Sequence, residues 1–167
     1  MDLPFYESGR YRRFVATDTD VAAMKALLEE VRPHQIFATG HGNDPLSVPA
    51  ISFDILQTAL QACRNSDWVQ DCNIWLYRGQ GQEWEAHEID MAVPLSPDEF
   101  KTKIQGIYQH QTQRNQSPGS SKKKSSNSWD SARQINHQAA RTYDDLGLAE
   151  YEAMECFKRF NPQYYKT

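Results

Sequence analysis

The sequence predicts an α/β layered fold, and three observations carry that expectation. Residues 17–63 read as helix, strand, polar loop and helix in succession. Apolar residues recur at three- and four-residue spacing in the helical stretches, whereas the strand candidates are short apolar or alternating runs. The length, 167 residues, suits one ordinary domain.

Each element follows from its residues. The first 16 positions are irregular and aromatic-basic (Phe5, Tyr6, Arg10, Tyr11, Arg12, Arg13, Phe14) and read as a peripheral arm. Thr17-Asp18-Thr19-Asp20 starts a helix whose apolar face is Val21, Met24, Leu27, Leu28 and Val31; Pro33 ends it. Gln35-Ile36-Phe37-Ala38 is a short buried strand. The turn-forming run Thr39-Gly40-His41-Gly42-Asn43-Asp44-Pro45 follows. Ser47 or Val48 caps a second helix with Pro49 in its first turn and Ile51, Ile55, Leu56, Ala59, Leu60 and Cys63 on its apolar face. Residues 73–77 form a second strand, and Glu88 to Val93 alternate as a third. Ser96-Pro97-Asp98-Glu99 is a capping box ahead of a helix striped by Phe100, Ile104, Ile107 and Tyr108. Residues 114–128 are low-complexity and predict a flexible loop. Trp129, Ala132, Ile135, Ala139, Tyr143 and Leu146 mark a long helix stopped by Gly147. Ala149 to Phe160 reads as a last short helix, a C-terminal helical segment ended by Asn161-Pro162.

Composition narrows the function classes. Apolar residues make up 39% and charged residues 24%, so the chain is globular and on the polar side. Eighteen Lys+Arg against 22 Asp+Glu give a formal charge of −4, which argues against a nucleic-acid partner. An accessory role on nucleic acid, through the arm and Lys122, Lys123 and Lys124, ranks below the other readings. No run approaches a membrane span, and Met1-Asp2-Leu3-Pro4-Phe5 lacks the pattern of a signal peptide. Cys63, Cys72 and Cys156 are odd in number and form no CxxC pair, which predicts reduced thiols and a cytoplasmic location. Large apolar side chains crowd between Phe53 and Phe100, placing the expected core mid-chain.

Ligands of open α/β sheets bind beyond the carboxyl ends of strands. The loop after the first strand holds His41, Asn43 and Asp44, and imidazole and carboxylate are zinc donors. One His and one Asp do not complete a site, and capping or turning the loop is the favoured role for Asn43 and Asp44. His110 lies near a helix end, where the dipole favours it. His87 precedes the third strand, with Glu88 and Asp90 at hand to orient it. His34 and His137 read as structural or exposed. There is no G-x-S-x-G nucleophile elbow, and Gly79-Gln80-Gly81 lacks the rest of a phosphate loop.

Six stretches carry a family resemblance. They are Arg32-Pro33-His34-Gln35-Ile36-Phe37-Ala38-Thr39-Gly40 with Asp44-Pro45; residues 71–79 and 83–94; His110-Gln111-Thr112-Gln113; and residues 146–155. Together they resemble the C-terminal part of the long, two-domain glucosamine-6-phosphate deaminases of Bacteroidetes-type bacteria. In that family a sugar-phosphate isomerase domain precedes a deacetylase-like domain of the LmbE (PIG-L) type. The resemblance covers nearly the whole chain, apart from the 114–128 loop, and implies a partial Rossmann-like sheet flanked by helices.

The departures bear on chemistry. Deacetylase relatives bind zinc through a His-Pro-Asp-Asp motif after the first strand, which this chain lacks, and through a further His. In the two-domain family that His lies in an Asp-Pro-His-x-x-His loop, read here as Asp44-Pro45-Leu46-Ser47-Val48-Pro49. Leu46 stands where the first His would polarise a substrate carbonyl, and Pro49 where the second would bind zinc. The resemblance therefore implies a single LmbE/PIG-L-like domain over 1–167, without its N-terminal strand and metal motif and with no cofactor. It would work as a structural or interaction module that associates with itself or a partner chain and takes a sugar phosphate as ligand. The alternative is a subunit of an amino-sugar deaminase or deacetylase completed by a partner chain, with His41, Asp44, His87 and His110 as its catalytic candidates.

Overall fold

The computed structural model describes residues 15–39, 45–78, 84–109, 128–148 and 150–162. They fall into two compact units, one within Met1–Arg78 and Arg159–Thr167, the other within Gly79–Lys158.

In the first unit, helix α1 (Asp18–Val31) starts on a capping box. The backbone N–H and hydroxyl of Thr17 both donate to Asp20 Oδ2, at 2.8 and 2.6 Å, and Asp20 is fully buried. Satisfying the orphan donors of a first turn in this way makes a buried carboxylate tolerable. The helix stops at Arg32, which takes a left-handed conformation (φ 46°) immediately before Pro33. A residue preceding proline is pushed out of the right-handed helical region. Strand β1 (Gln35–Thr39) pairs in parallel with β2 (Asn73–Tyr77), in register from Gln35↔Asn73 to Thr39↔Tyr77. Between them lie α2 (Val48–Ala62) and the one-turn α3 (Asp67–Asp71).

The predicted apolar face of α2 is buried in full: Ile51, Ile55, Leu56, Ala59, Leu60 and Cys63. The helix buries a second face as well, through Ala50 and Phe53, and Phe53 meets Phe160 edge-to-face with ring centroids 5.2 Å apart. Val21 and Met24 of α1 and Val48 pack on Ile51 and Ile55. A narrow stripe, Asp54, Thr58 and Gln61, stays exposed, and α2 supplies most of the described core of the unit.

In the second unit, β3 (Met91–Leu95) runs antiparallel to β4 (Ala153–Phe160), from Met91↔Phe157 to Leu95↔Ala153. Helix α4 (Pro97–Gln109) begins at the predicted capping box. The Ser96 hydroxyl donates to Glu99 Oε2 at 2.7 Å, and the Glu99 N–H donates back to Ser96 Oγ at 3.3 Å. Helix α5 (Ser128–Asp145) ends as its glycine predicts. Gly147 sits at φ 75°, its N–H bonds to Asp144 O, and the N–H of Leu148 bonds to Tyr143 O. That pair of bonds is the glycine-dependent closure of a helix C-terminus.

The parallel β1–α2–β2 crossover puts the chain in the α/β class and agrees with a partial Rossmann-like sheet flanked by helices. Three expectations need correction. The C-terminal helical segment is the strand β4, because its charged and polar groups find long-range partners, described below. The third strand begins at Met91, not Glu88; Ala86–Glu88 is a 3₁₀ turn in which Glu88 Oε2 accepts from the Glu85 N–H. The core is also wider than Phe53–Phe100, reaching back to Leu28 and on to Phe160. The aromatic-basic arm, through Phe14, lies outside the described residues, as does the predicted loop at 114–128 up to Ser128, which opens α5.

Candidate functional site

The described part of the β1–α2 loop is built as a helix cap. The Ser47 hydroxyl accepts from the Ala50 N–H at 3.4 Å, and Pro49 occupies the first turn, where a missing N–H costs nothing. Leu46 is 76% exposed. Neither its hydrocarbon side chain nor the amide nitrogen of Pro49 has a lone pair for a metal. The one side-chain oxygen here, that of Ser47, faces the helix it caps. These residues do not fit a zinc ion. His41 and Asp44, the donors suspected earlier in this loop, lie outside the described residues, as does His110.

His87 is described. It sits exposed in the 3₁₀ turn of the second unit. Its neighbour Glu88 accepts from Lys158 Nζ at 2.8 Å through Oε1, while Oε2 serves the Glu85 N–H. Lys158 also lies 5.4 Å over the Trp84 ring, a cation–π contact that holds the ammonium in place. Asp90 contributes its N–H to Phe157 O, at the edge of the β3–β4 ladder. Among the described residues, no group of three His, Cys, Asp or Glu side chains is placed to hold a metal.

The densest polar constellation among the described residues is one that sequence reasoning missed. Lys103 of α4 donates to Asn136 Oδ1 of α5 at 2.8 Å and bridges to Glu155 of β4. The buried Asn136 donates through Nδ2 to Met154 O at 2.7 Å. One residue on, His137 places Nδ1 2.6 Å from Glu152 O, so this nitrogen carries the proton. The facing Arg133 Nε is a donor, 3.4 Å from Nε2. Phe100 meets the imidazole edge-on with centroids 5.0 Å apart. His137 is thus structural, as expected. The available signal was Asn136, a polar residue interrupting the apolar stripe of α5. Chemically, the cluster positions a backbone: it contains an ammonium and its acceptors but no nucleophile beside a base.

The first unit has a smaller polar cluster. Glu29, in the last turn of α1, accepts from Ser66 Oγ at 2.5 Å and Trp68 Nε1 at 3.1 Å. These bonds to the charged form, Ser66 first, hold its carboxyl below the ordinary value. Burial pushes the Cys63 thiol up, and the Glu29 carboxylate adds to that; burial also raises Cys72. Raised thiols are poor nucleophiles, so neither cysteine suits covalent catalysis. All three cysteines are free thiols.

No described helix is long and apolar enough to cross a membrane. No family model matches the chain. Over 166 residues it is 39% identical to a glucosamine-6-phosphate deaminase-like protein of Bacteroides thetaiotaomicron. The aligned stretch takes in 97% of this chain and 25% of that relative. The chain thus spans about a quarter of the length of the curated relative it matches.

Proposed function

We propose that this chain is a deacetylase-like (LmbE/PIG-L type) module of the glucosamine-6-phosphate deaminase-like proteins that lacks a hydrolytic centre of its own. It acts by association, with a second copy or a partner chain, and takes a sugar phosphate as its small-molecule ligand in the cytoplasm. The carrying observation is the helix cap at Leu46-Ser47-Val48-Pro49, which stands where the resemblance implies two histidines. Zinc hydrolysis needs three protein ligands and an open position for water. The likeness over 97% of the chain to a relative with a deaminase-like name supports the amino-sugar setting.

The test is the zinc content of the purified chain after dialysis against trace metal, read beside hydrolysis of an N-acetylated amino sugar phosphate. The expected result is zinc well below one per chain, removed by chelator, and no hydrolysis. One chelator-resistant zinc per chain with amide cleavage would overturn the reading.

A further inference from the structure

Residues 150–160 are written as a helix, yet 153–160 fold as the strand β4. The segment has no Val, Ile or Thr, the β-branched residues that favour strands. It is rich in strong helix formers: Glu150, Glu152, Ala153, Met154, Glu155, Lys158 and Arg159. Its acidic residues come first and its basic residues last, which suits a helix dipole. Glu155 precedes Arg159 by four positions, the favourable order for a helical ion pair. Pro162 lies just after the segment, where a helix would stop.

The buried residues of β4 repeat the pattern. They are Ala153, Met154, Phe157 and Phe160, at i, i+1, i+4 and i+7. Those are the positions of one helical face, not of an alternating strand. In the folded chain the charges that would pair within a helix turn outward instead. Glu155 bridges to Lys103, Lys158 bonds Glu88, and Arg159 donates to Asn73 Oδ1 at 2.7 Å. Asn136 holds the Met154 carbonyl, and β3 pairs the backbone from Ala153 to Phe157. Each of these partners is at least 18 residues away in sequence.

We infer that residues 153–160 form a conditional strand, helical by local preference and extended only while Asn136, Lys103 and β3 hold them. The inference is independent of the functional reading above. Two packings of one sequence that bury the same side chains make a segment bistable.

The experiment is carbon chemical shifts along 150–160 in the isotopically labelled full chain, with Asn136→Leu and Lys103→Met combined. In the unaltered chain the Cα shifts of 153–160 lie on the strand side of the random-coil values. In the double variant they cross to the helix side, while Ile51 to Leu60 keep their helical shifts. Strand or coil shifts at 153–160 in a variant whose α2 is intact would overturn the inference. Should α2 lose its shifts too, the deciding measurement is the unaltered chain unfolded in urea. Residual helical shifts at 153–160, reduced by Ala153→Gly, are expected there. Their absence would overturn the inference.

Discussion

The two units hold themselves together differently. The first is organised around one helix, α2, buried on two faces by aliphatic and aromatic side chains. Among the described residues, the second buries fewer large apolar groups and relies on polar tethers, with Asn136 at their centre. Apolar burial is non-directional and scales with area, so it secures an element without dictating its backbone conformation. Hydrogen bonds to named carbonyls do dictate it. The first unit should therefore be sensitive to lost volume, and the second to a lost donor or acceptor.

The largest expected effect breaks the apolar side of this contrast. Phe53 is 2% exposed and meets the edge of Phe160. Phe53→Ala should destabilise the chain by about 3–5 kcal/mol, transfer and cavity terms together. Denaturant unfolding measures it. A loss below about 1 kcal/mol would mean that α2 collapses into the space and is less tightly packed than its burial indicates.

The next effect sharpens the polar side. Asn136→Ala leaves the Met154 carbonyl without its side-chain donor and removes one acceptor from Lys103. The cost should be about 1–3 kcal/mol, the penalty for a buried group left unpaired. The same unfolding experiment reads it. An effect equal to that of Phe53→Ala would erase the distinction between the units.

This contrast explains what was legible in the sequence. Ile51, Ile55, Leu56, Ala59, Leu60 and Cys63 announce α2 through spacing alone, because the periodicity and the burial share one cause. The caps at Ser47, Ser96 and Gly147 were legible because each acts within a few residues. β4 was not, because what makes it a strand lies in α4, α5 and β3, and its local preference points the other way. Asn136 carried a faint signal, a polar residue inside an apolar stripe, but nothing local ties it to Met154. Of the four candidate site residues, only His87 falls among the described residues, and it stands exposed. The departures at Leu46 and Pro49 were legible, because a missing lone pair is a property of the residue and not of the fold.

The smallest expected effect asks whether the units also differ in acid. Among the described residues, each has a carboxylate held below its usual value by a serine: the half-buried Glu29 by Ser66, then Trp68, and the exposed Glu99 by Ser96. A carboxyl whose folded value is depressed adds stability above its unfolded value, here 4.5, and loses it as pH falls toward the folded one. Both groups should therefore stabilise the chain near neutral pH and release that stabilisation in acid below about pH 4.5. Glu29→Gln and Glu99→Gln should each flatten the acid side of the melting-temperature profile slightly and leave its slope near neutrality unchanged. Glu29 joins α1 to Ser66 and Trp68, 37 and 39 residues on, whereas Glu99 closes only its own helix turn. Glu29→Gln should consequently flatten the profile more. Equal flattening would mean that a long-range tether adds no more here than a local cap, and the contrast between the units would rest on Phe53 and Asn136 alone.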